Sequence, residues 1–294
     1  MSRFAWATLC VAVALGLILA LAPTGSARTC LLAGLGGGYV ALLAAGSLAP
    51  QLDFYLRAAR RGPTDRAWVA LTFDDGPDPV ITPLLLELLR RERVAAAFFF
   101  VGEAARRYPT LVIQAAAEGH LIGNHSDRHG YGWTVAPARR LFAEFAAASH
   151  TLAAILGQAP RFARTPAGVS RPNLAKAFQQ LQLCNVAWDV RGLEGLYRDP
   201  ARIAARIARR ARNGSIILLH ELYYGVLRFE PQQVGATAHL TIQQLRARGF
   251  DFVRLDQLLA PDQAVWAEEN GSSPAATLGC RRAASAAPQT GQAA

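Results

Sequence analysis

The chain has 294 residues, 52% of them hydrophobic, which is enough for one sizeable domain and additional segments. Its formal charge of +10 is almost wholly arginine, Lys176 being the single lysine; no aromatics interleave the basic residues and no recognition motif is present, which argues against nucleic acid as a partner. The four cysteines, Cys10, Cys30, Cys184 and Cys280, lack metal-type spacing and imply no disulfide framework.

In chain order, the first element is an uncharged run of 19 residues, Phe4–Ala22, long enough to cross a bilayer. A second uncharged run, Thr29–Pro50, follows the short link "PTGSAR". The pair is expected to form a membrane hairpin within residues 1–55, with spans at about 4–22 and 29–50. The first run could instead be a signal peptide cleaved near Gly25–Ala27. Only Arg28 lies in the link, whereas Arg57, Arg60, Arg61 and Arg66 follow the second span. The positive-inside rule then predicts a multi-pass protein of the inner membrane whose domain faces the cytoplasm.

From residue 66 the pattern alternates. Apolar runs predict strands at 69–73, 96–101, 120–123, 161–164, 184–188, 215–219 and 250–254. Helix-length stretches lie between them near 80–92, 106–117, 136–156, 172–181, 199–212 and 232–248. About seven strands alternating with helices predict an α/β domain over 66–259 with a parallel sheet, open or closed into a barrel. Its site belongs at the carboxyl ends of the strands. Arg202, Arg206, Arg209, Arg210 and Arg212 read as the solvated basic face of an amphipathic helix, with attraction to anionic headgroups as a further expectation. Residues 260–294, rich in Ala, Ser, Gly and Gln, read as a disordered tail.

The strand ends carry the chemistry. "ALTFDDGPDP" places Asp74 and Asp75 directly after a buried-type strand, and Gly76-Pro77 ends that strand at once. Adjacent residues of a strand point to opposite faces, so the turn has to swing one carboxylate round. "GNHSDRHG" follows the third strand and puts His125 and His129 four apart, on one face of a helical turn. Two imidazoles and a carboxylate make a facial set for a divalent metal, which would also let neighbouring carboxylates coexist. "RFARTPAG" supplies Arg164, whose planar guanidinium can hold an ionised acid, and "IILLHE" supplies His220, placed as a proton donor. Ser126 and Asp127 read as turn and capping residues.

In this order and at these intervals, "TFDDGP", "HSDRH", "RTPAG" and "ILLH" resemble the polysaccharide deacetylases of carbohydrate esterase family four, the NodB-homology domain. The resemblance covers residues 66–259 and implies a distorted, incomplete (β/α) barrel that removes acetyl groups from N-acetylated sugars, with one divalent metal, usually zinc. It implies Asp75, His125 and His129 as metal ligands, Asp74 as catalytic base, Arg164 as its orienting partner and His220 as catalytic acid. The backbone N–H of Ala167 matches the oxyanion-binding position. The family's fourth motif, an acid followed by Asp-Trp, is altered here to "RGLEG" after Trp188. Arg191 replaces the first acid, and Glu194 or Asp189 stands as the tether of His220. Gly195 replaces the aromatic wall, and Ala167 sits where an aromatic is frequent. A wide groove beside a membrane suits a polysaccharide or a lipid-linked amino sugar. O-deacetylation or deformylation on the same centre, and a non-catalytic sugar-binding domain, are the competing readings.

Overall fold

The computed structural model of the chain describes residues 3–49, 52–62, 64–130, 137–222 and 229–259. The stretch read as a tail, 260–294, lies outside the described residues. Two apolar helices come first, α1 (Arg3–Leu21) and α2 (Ser26–Leu48). They are long and apolar enough to be candidate membrane spans. Gly46 is the one residue buried in either helix, and Trp6, Leu9, Val13, Leu17 and Leu31 are exposed. Water would not tolerate that surface well; acyl chains would.

The domain follows as β1 (Trp68–Asp74), α3 (Ile81–Glu92), β2 (Ala97–Phe100), α4 (Gly102–Arg107), α5 (Pro109–Ala117), β3 (Leu121–Asn124), α6 (Ala138–Leu156), β4 (Phe162–Ala163), α7 (Leu174–Gln180), β5 (Cys184–Asn185), β6 (Val190–Arg191), α8 (Pro200–Arg210), β7 (Ile216–His220), α9 (Pro231–Ala247), β8 (Asp251–Phe252) and α10 (Leu255–Leu259). All pairings between named strands are parallel, in the order β5-β4-β3-β2-β1-β7-β6, with β8 beside the start of β1. The end strands β5 and β6 do not pair with each other, so the sheet curls into an incomplete barrel. Every expected strand is present, and the two-residue β6 is an addition.

Two expected elements differ. The stretch near 106–117 is two helices, because Pro109 cannot donate within a helix and starts a new one at its first position. Cys184 is disulfide-bonded, against the expectation that the cysteines would carry no such role.

β1 lies at the sheet's centre and is buried from Val69 to Asp74, which fits a run that is apolar up to Phe73 except for Thr72. Phe73, Phe98 and Phe100 face outward into a core with Leu85 and Leu89 of α3 and Ile203 and Ile207 of α8. The inner face carries Ala70, Ala97, Phe99, Val186 and Ile216, and Leu255, Leu258 and Leu259 of α10 close its lower end. With both faces and the bottom packed, the carboxyl ends of β1, β3, β4 and β7 are left to form a site.

Candidate active site

β1 delivers the two carboxylates differently. Asp74 is the last strand residue, and Thr72, two positions earlier, shares its face. Asp75 takes a left-handed conformation, φ 76°, which turns its side chain away from the strand direction. This is how two successive acids reach one pocket. Asp75 Oδ1 lies 3.3 Å from His125 Nε2 and 3.2 Å from His129 Nε2. Asp74 Oδ2 is 3.7 Å from His125 Nε2.

The histidines converge, but not on a helical turn. His125–His129 is an irregular loop after β3, with left-handed backbone at Ser126 (φ 67°) and His129 (φ 49°). Asn124 Oδ1 accepts the Ser126 N–H at 2.8 Å, and Ser126 Oγ accepts the His129 N–H at 3.2 Å, so side chains shape the loop. The imidazole centroids end 5.0 Å apart. His125 Nδ1 meets the Arg164 carbonyl at 2.9 Å, which leaves Nε2 facing the site. Asp127 pairs with Arg106 at 2.7 Å and points away from the ligand set.

One donor atom each from Asp75, His125 and His129 lies within 4.8 Å of the others. Asp75 Oδ1 is buried and has no hydrogen-bond partner, a costly state for a carboxylate oxygen. A carboxylate and two imidazoles around such an atom fit a divalent cation. Burial raises the Asp75 pKa, but His125, His129 and His220 more than offset it and hold it at about 2. Burial pulls His129 down to about 4, Asp75 opposing, so both reach neutral pH in their ligand forms.

Arg164, at the end of β4, is fully buried. Its Nη1 donates to Asp74 Oδ1 at 2.7 Å and to Thr72 Oγ1 at 2.8 Å, and its Nε and Nη2 donate to the carbonyls of Val186 and Ala187 at 3.2 Å each. Its guanidinium lies 4.1 Å from the centroid of the Phe99 ring. A buried ion pair with these extra bonds is fixed in place, so Asp74 presents one oxygen to arginine and the other to the site.

His220 ends β7, level with Asp74 in the register of the pairing. Glu194 Oε1 lies 3.3 Å from its Nδ1 and accepts its backbone N–H at 3.1 Å. Burial pushes His220 down, but Glu194, then Asp75 and Asp74, raise it to about 9. Asp189, the other candidate tether, is committed elsewhere. It accepts from Ser215 Oγ and the Ile216 N–H at 3.0 and 3.1 Å, anchoring the start of β7. Ala167 is exposed in the single-turn 3₁₀ segment Pro166–Gly168 with φ 53°. Arg191 and Gly195 are exposed as well, and these positions raise no aromatic wall.

Thr72 and Glu221 were not singled out by their sequence context. Glu221 is buried beneath the Asp75–Gly76 turn, where a Cβ on Gly76 would lie 2.0 Å from its Oε1. Thr82 donates a short hydrogen bond to its Oε2, and burial, with Asp78 and Asp75 adding to it, raises its pKa to about 8. Thr72 was legible in principle, as the polar interruption of an apolar strand on the face of Asp74. Glu221 was not, because its meaning depends on a contact with a distant turn.

Residues 61–186 match the polysaccharide deacetylase family. The chain is 33% identical over 197 residues to a peptidoglycan-N-acetylglucosamine deacetylase of Bacillus cereus, covering 67% of this chain and 70% of that one. It is 33% identical over 214 residues to a chitooligosaccharide deacetylase of Sinorhizobium fredii, covering 70% and 98% respectively. A solved peptidoglycan N-acetylglucosamine deacetylase superposes with a TM-score of 0.62 at 31% identity, covering 69% of this chain and 92% of that one. The chain belongs to the polysaccharide deacetylases of carbohydrate esterase family four, hydrolases that act on the carbon–nitrogen bonds of N-acetylated sugars.

Proposed function

We propose that the protein is a metal-dependent carbohydrate N-deacetylase anchored in a membrane by α1 and α2. The observation that carries this reading is the meeting of Asp75, His125 and His129 beside the Arg164-held Asp74. An acetamide is a poor electrophile with a poor leaving group. A divalent cation, zinc by its preference for this donor set, would supply Lewis-acid polarisation of the acetamide carbonyl. Asp74 takes the proton from the attacking water, its basic oxygen aimed by Arg164. The Ala167 N–H donates to the carbonyl oxygen as negative charge develops there. His220 then protonates the departing amine, and Glu194 keeps that proton on the imidazole. Leu219, Phe229 and Val234 give an apolar wall beside His220.

The test is acetate release from N-acetylated chito-oligomers, with O-acetylated and N-formylated analogues alongside, combined with metal analysis. We expect one divalent metal per chain, release from the N-acetyl substrate, and loss of both in the His125→Ala/His129→Ala double variant. Unchanged metal content in the folded double variant would sink the ligand assignment. Sugar binding without release from any substrate would establish the non-catalytic reading.

For orientation, the arginines after α2 favour a cytoplasmic domain. One observation counts against this, since a disulfide at Cys184 belongs to an oxidising compartment. Reporter fusions after residues 66 and 259 are expected to give cytoplasmic reporter activity. Alkaline phosphatase activity at both points would reverse the orientation and account for the oxidised cysteine.

A further inference from the structure

Among the described residues, the hairpin is docked on the domain by direct contacts. The Ser170 backbone N–H donates to the Ser47 carbonyl in the last turn of α2 at 3.0 Å. Around that bond the two parts interlock. Phe54 packs so closely on Gly46 that a Cβ there would meet its ring at 2.2 Å. Phe4 of α1, Phe54 and Tyr55 form an aromatic cluster with centroids 4.8–6.0 Å apart. The Tyr55 hydroxyl donates to the Leu43 carbonyl at 3.0 Å, and the Phe4 N–H donates to the Phe54 carbonyl at 3.1 Å. Leu56 packs on the core cluster of Val169 and Leu174, and Ala59 bonds to both Asn185 and Ala187 along the sheet edge. Aromatic contacts and backbone bonds of this kind fix an angle, which Gly/Ser linkers do not.

The docked surface also adjoins the site. Ser170 follows the Pro166–Gly168 turn, and the three residues from Ala167 to Ser170 span at most roughly 11 Å of chain. The turn assigned to the oxyanion is therefore held beside the end of the helix that leaves the bilayer. Arg57 and Arg171 add positive charge at this junction, the sign that suits lipid phosphate.

We infer that the α2–Ser170 joint presents the active site at a fixed, short height above the membrane, and that the substrate is an N-acetylhexosamine carried on a membrane lipid. This rests on the deacetylase reading and on α1 and α2 crossing the bilayer. A rigid joint concentrates the site at sugars next to the bilayer and keeps it from glycan farther away.

The test uses the full chain in nanodiscs with two substrates, polyprenyl-phosphate-linked N-acetylglucosamine in the same disc and soluble chitotetraose. The expected kcat/KM is about ten-fold or more higher for the lipid-linked sugar, from its raised local concentration. A second arm inserts a twenty-residue Gly/Ser segment between Pro50 and Gln51 together with Gly46→Leu, which drives a side chain into the Phe54 ring. That variant is expected to keep its rate on chitotetraose and to lose the lipid-linked preference. Equal specificity constants in the wild type would overturn the inference without recourse to any variant. So would a preference that survives the insertion, because it would not depend on the joint. Release from neither substrate would instead remove the deacetylase reading beneath it.

Discussion

Asp74→Asn should abolish turnover while the chain keeps its metal. Asparagine preserves the shape and can still accept from Arg164, but it cannot take a proton from water. Loss of a general base alone is worth about 10²–10⁴-fold in rate. The substitution also leaves the fully buried Arg164 guanidinium without its counter-charge, which costs up to about 3–5 kcal/mol where a buried pair is broken. The bonds from Arg164 to Thr72, Val186 and Ala187 and its contact with Phe99 limit that loss. Metal content, melting temperature and acetate release on one preparation separate the effects. A folded, metal-loaded Asn variant with more than a tenth of wild-type turnover would remove Asp74 from the role of base.

Glu194→Gln should move the alkaline limb of activity to lower pH. Glu194 is the leading cause raising His220 to about 9 against burial. With the carboxylate gone, burial is opposed only by Asp75 and Asp74, and the imidazole falls from about 9 towards its ordinary value of about 6.5. At pH 8 that takes the protonated fraction from most of the molecules towards a few per cent, a loss of rate of up to about thirty-fold, with little loss at pH 6. A divalent cation on Asp75 lowers the starting value and keeps the direction. Stability carries the same sign. His220 has a folded pKa above its unfolded one, so its contribution is complete below about pH 6.5 and is lost as pH rises through 9. The melting-temperature gap between wild type and Glu194→Gln should therefore be widest in mild acid and close above pH 9. Parallel pH profiles for the two proteins would show that Glu194 does not tune His220.

Much of this site is legible from local chemistry alone. Acids that follow a mostly apolar strand lie at its carboxyl end, and β1 puts Asp74 and Asp75 there. His220 after "IILL" follows the same rule. The loop of His125 and His129 does not, because a spacing of four reads as a helical turn, whereas Asn124 and Ser126 bend it through left-handed positions instead. The choice between Glu194 and Asp189 was not legible either. Both lie near the same strand end, and only the path of residues 190–194 decides which reaches His220. β6 was missed because Val190–Arg191 lies in no apolar run, whereas the equally short β4, β5 and β8 lie within one. Left-handed backbone is uncommon outside glycine, and though Asp and His tolerate it better than Ser and Ala, its use at Asp75, Ser126, His129 and Ala167 is not announced by propensity.

The central place of β1 also sets an order of events during synthesis. Thr72 on β1 bonds to the carbonyl of Ile217 on β7, 145 residues later in the chain. At elongation rates of about 5–20 residues per second, the β7-facing edge of β1 stays without its partner for roughly 7–30 s. An apolar strand with an open edge invites pairing with another chain. If α1 and α2 cross a membrane as proposed, they leave the ribosome before β1, and their insertion holds nascent chains apart while that edge waits. Removing residues 3–48 should then lower the yield of soluble, folded domain through aggregation, even though no catalytic side chain is lost.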